Sequence, residues 1–362
     1  MRIFALAALI AAMFAALPDR QAHAFDDKAA HAVLSGAVDR FIRPAYQDLH
    51  RSAAALASRT ASLCAQPSGT GLADLKIPFG DLVRAWSRAE IIRFGPVLEQ
   101  NRLERFLHYP DRKSIGVKQV RALADGDDPA AADPTALAEK SVAVQGLGAF
   151  ELVFFGSYPE SVIGSKNSHA CLYGAAIARN LETIAGELAA AWSRPDGIAL
   201  EFATPGAANP LFRDNREAVT ALLSLSVHGV EMWRENRIET FYRGGIGKDR
   251  PRQAIYWRSD NTILSLVANL QGLRDLWTAS GMESLLDEDA RSISGSILFD
   301  LDALIKATGA VAQPNEAMLA EAKYRARLDY LLLTSRDLLA RLNDDYGKAI
   351  GLAAGFSFSD GD

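Results

Sequence analysis

The spacing of its apolar residues is what most limits how this chain can fold. Leu181, Ile184, Ala185, Leu188, Ala191 and Trp192 recur at intervals of three and four, the period of one face of an α-helix. Near the end, Leu328, Leu331, Ser335, Leu338 and Leu342 repeat the pattern, as in the seam of a helical bundle. Convincing runs of alternating β-branched residues, which a half-buried strand requires, are absent. The pattern predicts an all-α fold. Helices are expected over about 27–42, 44–66, 79–94, 97–107, 135–156, 169–193, 210–242, 260–280, 284–309 and 314–350. Pro44 should break or kink the first pair. Asp133-Pro134 and Asn209-Pro210 read as helix starts, a capping side chain followed by a proline in the first turn.

The stretch from Ser193 to Asn209 contains Pro195, Gly197, Pro205 and Gly206 and separates two helical halves of similar size. It is the expected boundary between an N-terminal bundle, 25–200, and a C-terminal bundle, 201–362, packed across a cleft. Residues 1–24 read as a secretory leader. Arg2 precedes an apolar run from Ile3 to Leu17, too short for a confident membrane span, and Ala22-His23-Ala24 offers a small-x-small cleavage site. Cleavage after Ala24 would leave no long apolar run and would place the mature protein in the periplasm. A formal charge of −5 with no basic cluster gives no support to nucleic-acid binding.

There are two cysteines, Cys64 and Cys171. In an oxidising compartment such a pair is most simply a disulfide, the alternative being two buried thiols. The six histidines are scattered, with no pair three or four apart and no HExxH. No nucleophile elbow, Walker loop or dinucleotide fingerprint is present, and the glycine-rich Gly244-Gly245-Ile246-Gly247 reads as a turn between helices.

One carboxylate stands in unusual company. From Val144 to Phe155 every residue is apolar or small except Gln145 and Glu151. A helix hydrophobic all round is a buried helix, so Glu151 should be buried, and a buried carboxylate must be paired, metal-bound or protonated. Gly148, one turn earlier on the same face, leaves space beside it. Two roles are open for Glu151. It could be a structural bridge to Arg88, Arg93 or Arg258, or the centre of a site for a metal or cationic group.

Several segments then add up to a resemblance. Gly146-Leu147-Gly148-Ala149-Phe150-Glu151 resembles the G-x-H-x-x-E motif of the imelysin-like family. Cys171-Leu172-Tyr173 with the helix ending at Trp192, Trp257-Arg258-Ser259, Arg93-Phe94-Gly95-Pro96, Tyr109-Pro110-Asp111 and the Gly355–Asp362 ending are similar to other family blocks. The resemblance implies two helical bundles, a periplasmic or surface location, a link to iron uptake or regulation, and a site between the bundles around the motif helix. The founding activity of the family is a metallopeptidase. Here Gly148 replaces the motif histidine, so the leading expectation is a non-catalytic periplasmic binding protein with no catalytic residues. Glu151 is its tentative metal ligand, and Arg88, Arg258 and Trp257 are further binding residues. Iron or another divalent metal is the candidate cofactor. A small ligand or an envelope protein of an iron-uptake system is the candidate partner. The alternatives are a metallopeptidase with histidines recruited from elsewhere, and an envelope scaffold or adaptor. The acidic tail Asp360-Gly361-Asp362 is expected to dock through Phe356 and Phe358.

Overall fold

The computed structural model describes residues 25–352. The leader and the acidic tail therefore lie outside the described residues. Within them every regular element is helical and there is no strand. The principal helices are α1 (Asp27–Ala37), α2 (Arg43–Ala65), α3 (Lys76–Ala89), α4 (Ile115–Ala124), α5 (Leu147–Leu152), α6 (His169–Ser193), α7 (Asn215–Glu231), α8 (Thr262–Ser280), α9 (Ser292–Gly309) and α10 (Ala322–Ala340).

The caps explain several of these boundaries. Asp26 caps α1 by accepting from the N–H groups of Lys28 and Ala29, and Asp214 caps α7 by accepting from Glu217 N–H at 2.9 Å. Asp133 and Pro134 start a short helix as expected. Asn209 does not start one. Its side chain instead closes a loop, accepting from Leu211 and Phe212 N–H and donating to Glu201 and Thr204 carbonyls. Pro44 does not separate α1 from α2. A π-helical turn, Val38–Ile42, joins them and runs directly into α2 just before the proline, a local distortion of the ladder at the residue that lacks an N–H.

Helix α6 lies along α2, α2 packs on α3, and α3 packs on α8, which leads through α9 to α10. The α3–α8 contact is the principal joint between the two halves of the sequence. Gly272 permits it, because a Cβ there would fall 2.5 Å from the Arg88 carbonyl oxygen. Ser87 and Ser265 meet across the joint, Oγ to Oγ at 2.8 Å, and Asn269 Nδ2 donates to the Ser87 carbonyl at 2.7 Å. Helix α1 packs on α7 and α8, so the hydrophobic core crosses the loop expected to divide the chain. Cys64, at the end of α2, is joined by a disulfide to Cys171 in the first turn of α6.

Candidate functional site

Helix α5 is shorter than the sequence suggests. The chain breaks at Ser141 and again at Gly146, the N-cap of α5. Gly146 lies so close to the backbone that a Cβ would fall 2.7 Å from the Phe106 carbonyl oxygen. The fully buried Gln145 seals this break. Its Oε1 accepts from Arg105 and from Asn180, and its Nε2 donates to the Lys140 carbonyl at 2.9 Å. Of the two polar residues in the apolar stretch, Gln145 is thus spent on local structure.

Glu151 faces the other half of the chain. It is 3% exposed and is backed by an aromatic cluster. Phe150 stacks with Phe79 and with Phe154, and Phe79 meets Phe155 and the edge of Tyr256. Opposite it runs the turn Tyr256–Asp260, which precedes α8. Tyr256 and Asp260 both adopt left-handed backbone, φ 53° and 61°, a conformation uncommon outside glycine. Within this turn the successive N–H groups of Arg258 and Ser259 converge on Glu151 Oε1 at 3.1 and 3.0 Å, and Ser259 Oγ donates to the same oxygen at 2.8 Å. Consecutive backbone donors of this kind form a small anion cradle. The Arg258 guanidinium lies 3.8 Å from Oε2 and 4.6 Å from the centre of the Trp257 ring. Burial pushes the Glu151 carboxyl above its ordinary range, while the Ser259 hydroxyl and the Arg258 charge oppose that shift. Burial likewise pulls Arg258 down, with Glu151 acting against it.

Beside the pair opens a cavity of about 160 Å³. One wall comes from 107–152 and the other from 240–258, with Glu151, Trp257 and Arg258 all on its lining. Gly148 forms part of the first wall, and a Cβ there would meet no heavy atom within 4 Å. Arg112 and Arg252 complete the charged rim.

A family model described as Imelysin matches residues 42–342. The chain belongs to the imelysin family. Among solved structures it is similar to an imelysin-like protein from Psychrobacter arcticum 273-4, at 18% identity and TM-score 0.74, covering 92% of this chain and 99% of that one. It is also similar to a putative iron-regulated protein A precursor from Parabacteroides distasonis ATCC 8503, at 15% identity and TM-score 0.73, covering 91% and 97%. No curated protein matches the chain.

Against that imelysin fold, the expected site residues divide cleanly. Glu151, Arg258 and Trp257 come together. Arg88 does not join them. It leaves the last turn of α3 toward α8 and pairs there with Asp275, away from the cavity. The segment Trp257-Arg258-Ser259 is the turn before α8, and its N–H groups point to Glu151. Sequence reasoning did not single out Ser259, although it lies within the quoted tryptophan-arginine-serine segment, nor Arg112 and Arg252, which no local pattern marks.

The groups around Glu151 do not fit a metal ion. Oε1 already accepts three hydrogen bonds, the charge facing Oε2 is a guanidinium, and Gly148 offers no imidazole. A divalent cation needs open lone pairs from several ligands. Among the described residues no three His, Cys, Asp or Glu side chains gather in such a set. His108 lines the cavity, whereas His169 binds the Leu123 carbonyl and His228 binds Glu231.

Proposed function

We propose that this imelysin-family chain is a non-catalytic periplasmic binding protein that takes a small organic ligand in the cavity beside Glu151, Arg258 and Trp257, in the service of iron or other metal uptake. The observation that carries the reading is the cavity itself. It lies between two walls from different halves of the chain, and a charged pair and an aromatic ring converge on it, the mixture of apolar surface and few placed polar groups that small-molecule sites use. The iron connection rests on likeness to a protein described as a putative iron-regulated protein A precursor. No helix among the described residues is long and apolar enough to cross a membrane.

A peptidase reading would need two imidazoles within metal reach of Glu151, and the cavity is lined by one histidine, His108. The donors on Glu151 favour a carboxylate that organises the turn carrying Arg258 over one that activates water.

The test compares the purified mature protein with Gly148→Trp, which fills open space, and with Glu151→Gln. Thermal shift is read against a panel of small organic ligands, with and without ferric iron, and folding is checked by circular dichroism. A ligand that stabilises the wild type but not the filled variant supports the reading. Peptide hydrolysis by the wild type that disappears in Glu151→Gln would overturn it, as would stoichiometric metal lost in that folded variant.

A further inference from the structure

The charges around the cavity are unbalanced in a specific way. Three arginines line it, Arg112 and Arg252, which are exposed, and Arg258, which is half-buried. Among the described residues, neither Arg112 nor Arg252 has an ion-pair partner, and the Arg252 guanidinium lies 5.9 Å from the centre of the Trp257 ring. Arg121 adds a further positive charge close enough to act on Arg258. Two carboxylates share the lining, Asp111 and Glu151. Asp111 accepts from Ile115 N–H at 2.9 Å through one oxygen and from Val117 N–H at 3.2 Å through the other, fixing the start of α4. Glu151 spends Oε1 on the turn at 258–259. Both carboxylates keep their charge and act on Arg258, but their oxygens are held by donors of the fold, whereas Arg112 and Arg252 have no ion-pair partner among the described residues.

We infer that the cavity binds a small anionic ligand carrying a carboxylate or phosphate group, gripped by Arg112, Arg252 and Arg258 with Trp257 as a flat wall. A guanidinium presents a planar fork of donors that matches a carboxylate or phosphate two bonds at a time. Like charges gathered in a concave site focus an attractive field on an incoming anion. Trp257 also helps to hold the grip, since Arg258 lies within cation–π distance of its ring. This inference rests on the cavity being a binding site, as proposed above, and adds the class of ligand. It reverses the expectation of a cationic ligand that a buried glutamate first suggests, because here the glutamate serves the arginine-bearing turn.

The experiment uses calorimetric titration of the mature protein with citrate, with inorganic phosphate and with zinc chloride, at matched ionic strength. Three proteins are compared, the wild type, Arg112→Gln/Arg252→Gln and Gly148→Trp, each checked by circular dichroism. The expected result is binding of citrate or phosphate that weakens about tenfold or more in the double arginine variant and vanishes in Gly148→Trp. Binding of citrate alone identifies a carboxylate ligand, and binding of phosphate alone identifies a phosphate ligand. Anion binding that is equally strong in the double arginine variant overturns the inference. Zinc binding that depends on an open cavity, with both anions inert, also overturns it and leaves the cavity as a binding site. If no titrant binds in a way that Gly148→Trp abolishes, and the wider ligand panel is equally silent, the binding reading falls with it.

Discussion

Glu90 and Glu151 are both buried, both lie on the N-terminal side of the chain and both face an arginine from the C-terminal side, yet they do different work. Glu90, the residue that ends α3, pairs directly with Arg237, and the two side chains are 3% and 2% exposed. Asn269 Nδ2 reaches its second oxygen at 3.2 Å, and Tyr109 covers the guanidinium at 4.8 Å. That pair is closed on all sides. Glu151 meets its arginine at 3.8 Å, gives one oxygen to three donors of a turn, and sits on the wall of a cavity. Burial of an ionisable group therefore does not mark a site by itself. The distinguishing features are empty space beside it and neighbouring charges left without partners.

That contrast is most sharply tested by removing each negative charge. Glu90→Gln should cost about 3–5 kcal/mol of folding stability, since it strands the Arg237 charge in a dry interior. Denaturant unfolding measures the loss. A cost close to zero would mean that Arg237 has another partner, and the sealed joint would not be one.

Glu151→Gln should be much milder, about 1 kcal/mol or less at neutral pH, because an amide oxygen can still accept from Ser259 and Arg258. Its signature is in the pH dependence. The folded carboxyl is raised above its ordinary value of 4.5, so the unfolded chain ionises first as pH rises. The stability attached to Glu151 is full below that ordinary value and is lost as pH climbs through the folded one. Urea unfolding between pH 4 and pH 8, chosen on the order of the ordinary carboxylate range and above, should show the wild type losing stability relative to the variant. Parallel curves would show that the donors around Oε1 outweigh burial.

The smallest effect concerns the gap beside Glu151. Gly148 has ordinary helical backbone and free space around its Cα, so Gly148→Ala should raise stability by roughly 0.5–1 kcal/mol. A shift of the thermal midpoint upward, with the fold unchanged, confirms that the glycine is held for room rather than for backbone conformation.

Much of the helical frame is legible in the sequence, where long periodic segments dominate. Helix α6 spans His169–Ser193, as its periodicity predicts, and Glu151 is buried as the apolar stretch around it requires. What local pattern cannot show is contact between distant segments. Gly146 breaks the expected helix over 135–156 because of carbonyls forty residues earlier in the chain, a distance no window covers. Helix α4 went unpredicted, lying between turn-rich segments that mask its short apolar period. Arg88, Arg93 and Arg258 are equivalent candidates for Glu151 in one dimension, and the crossing of α3 and α8 decides among them by sending Arg88 to Asp275. The cavity's arginines are the least legible part. Arg112 sits in a turn and Arg252 in a single 3-10 turn, Pro251–Gln253, and both are exposed, so in one dimension they look like any solvated surface charge, and only the fold brings them to the lining of one space.

The disulfide gives the two walls of that space different fates. Cys64 and Cys171 are 107 residues apart and close a covalent ring. The wall built from 107–152 lies inside the ring, while the wall built from 240–258 lies outside it. A closure of this size limits the unfolded freedom of the enclosed segment by about 4–5 kcal/mol in the chain-entropy picture. The cavity is thus a jaw with one tethered side and one side docked by noncovalent contacts alone. A ligand spanning both sides would therefore join the enclosed segment to the turn carrying Trp257, Arg258 and Ser259, which hydrogen bonds to Glu151 and the Arg258–Glu151 pair hold there.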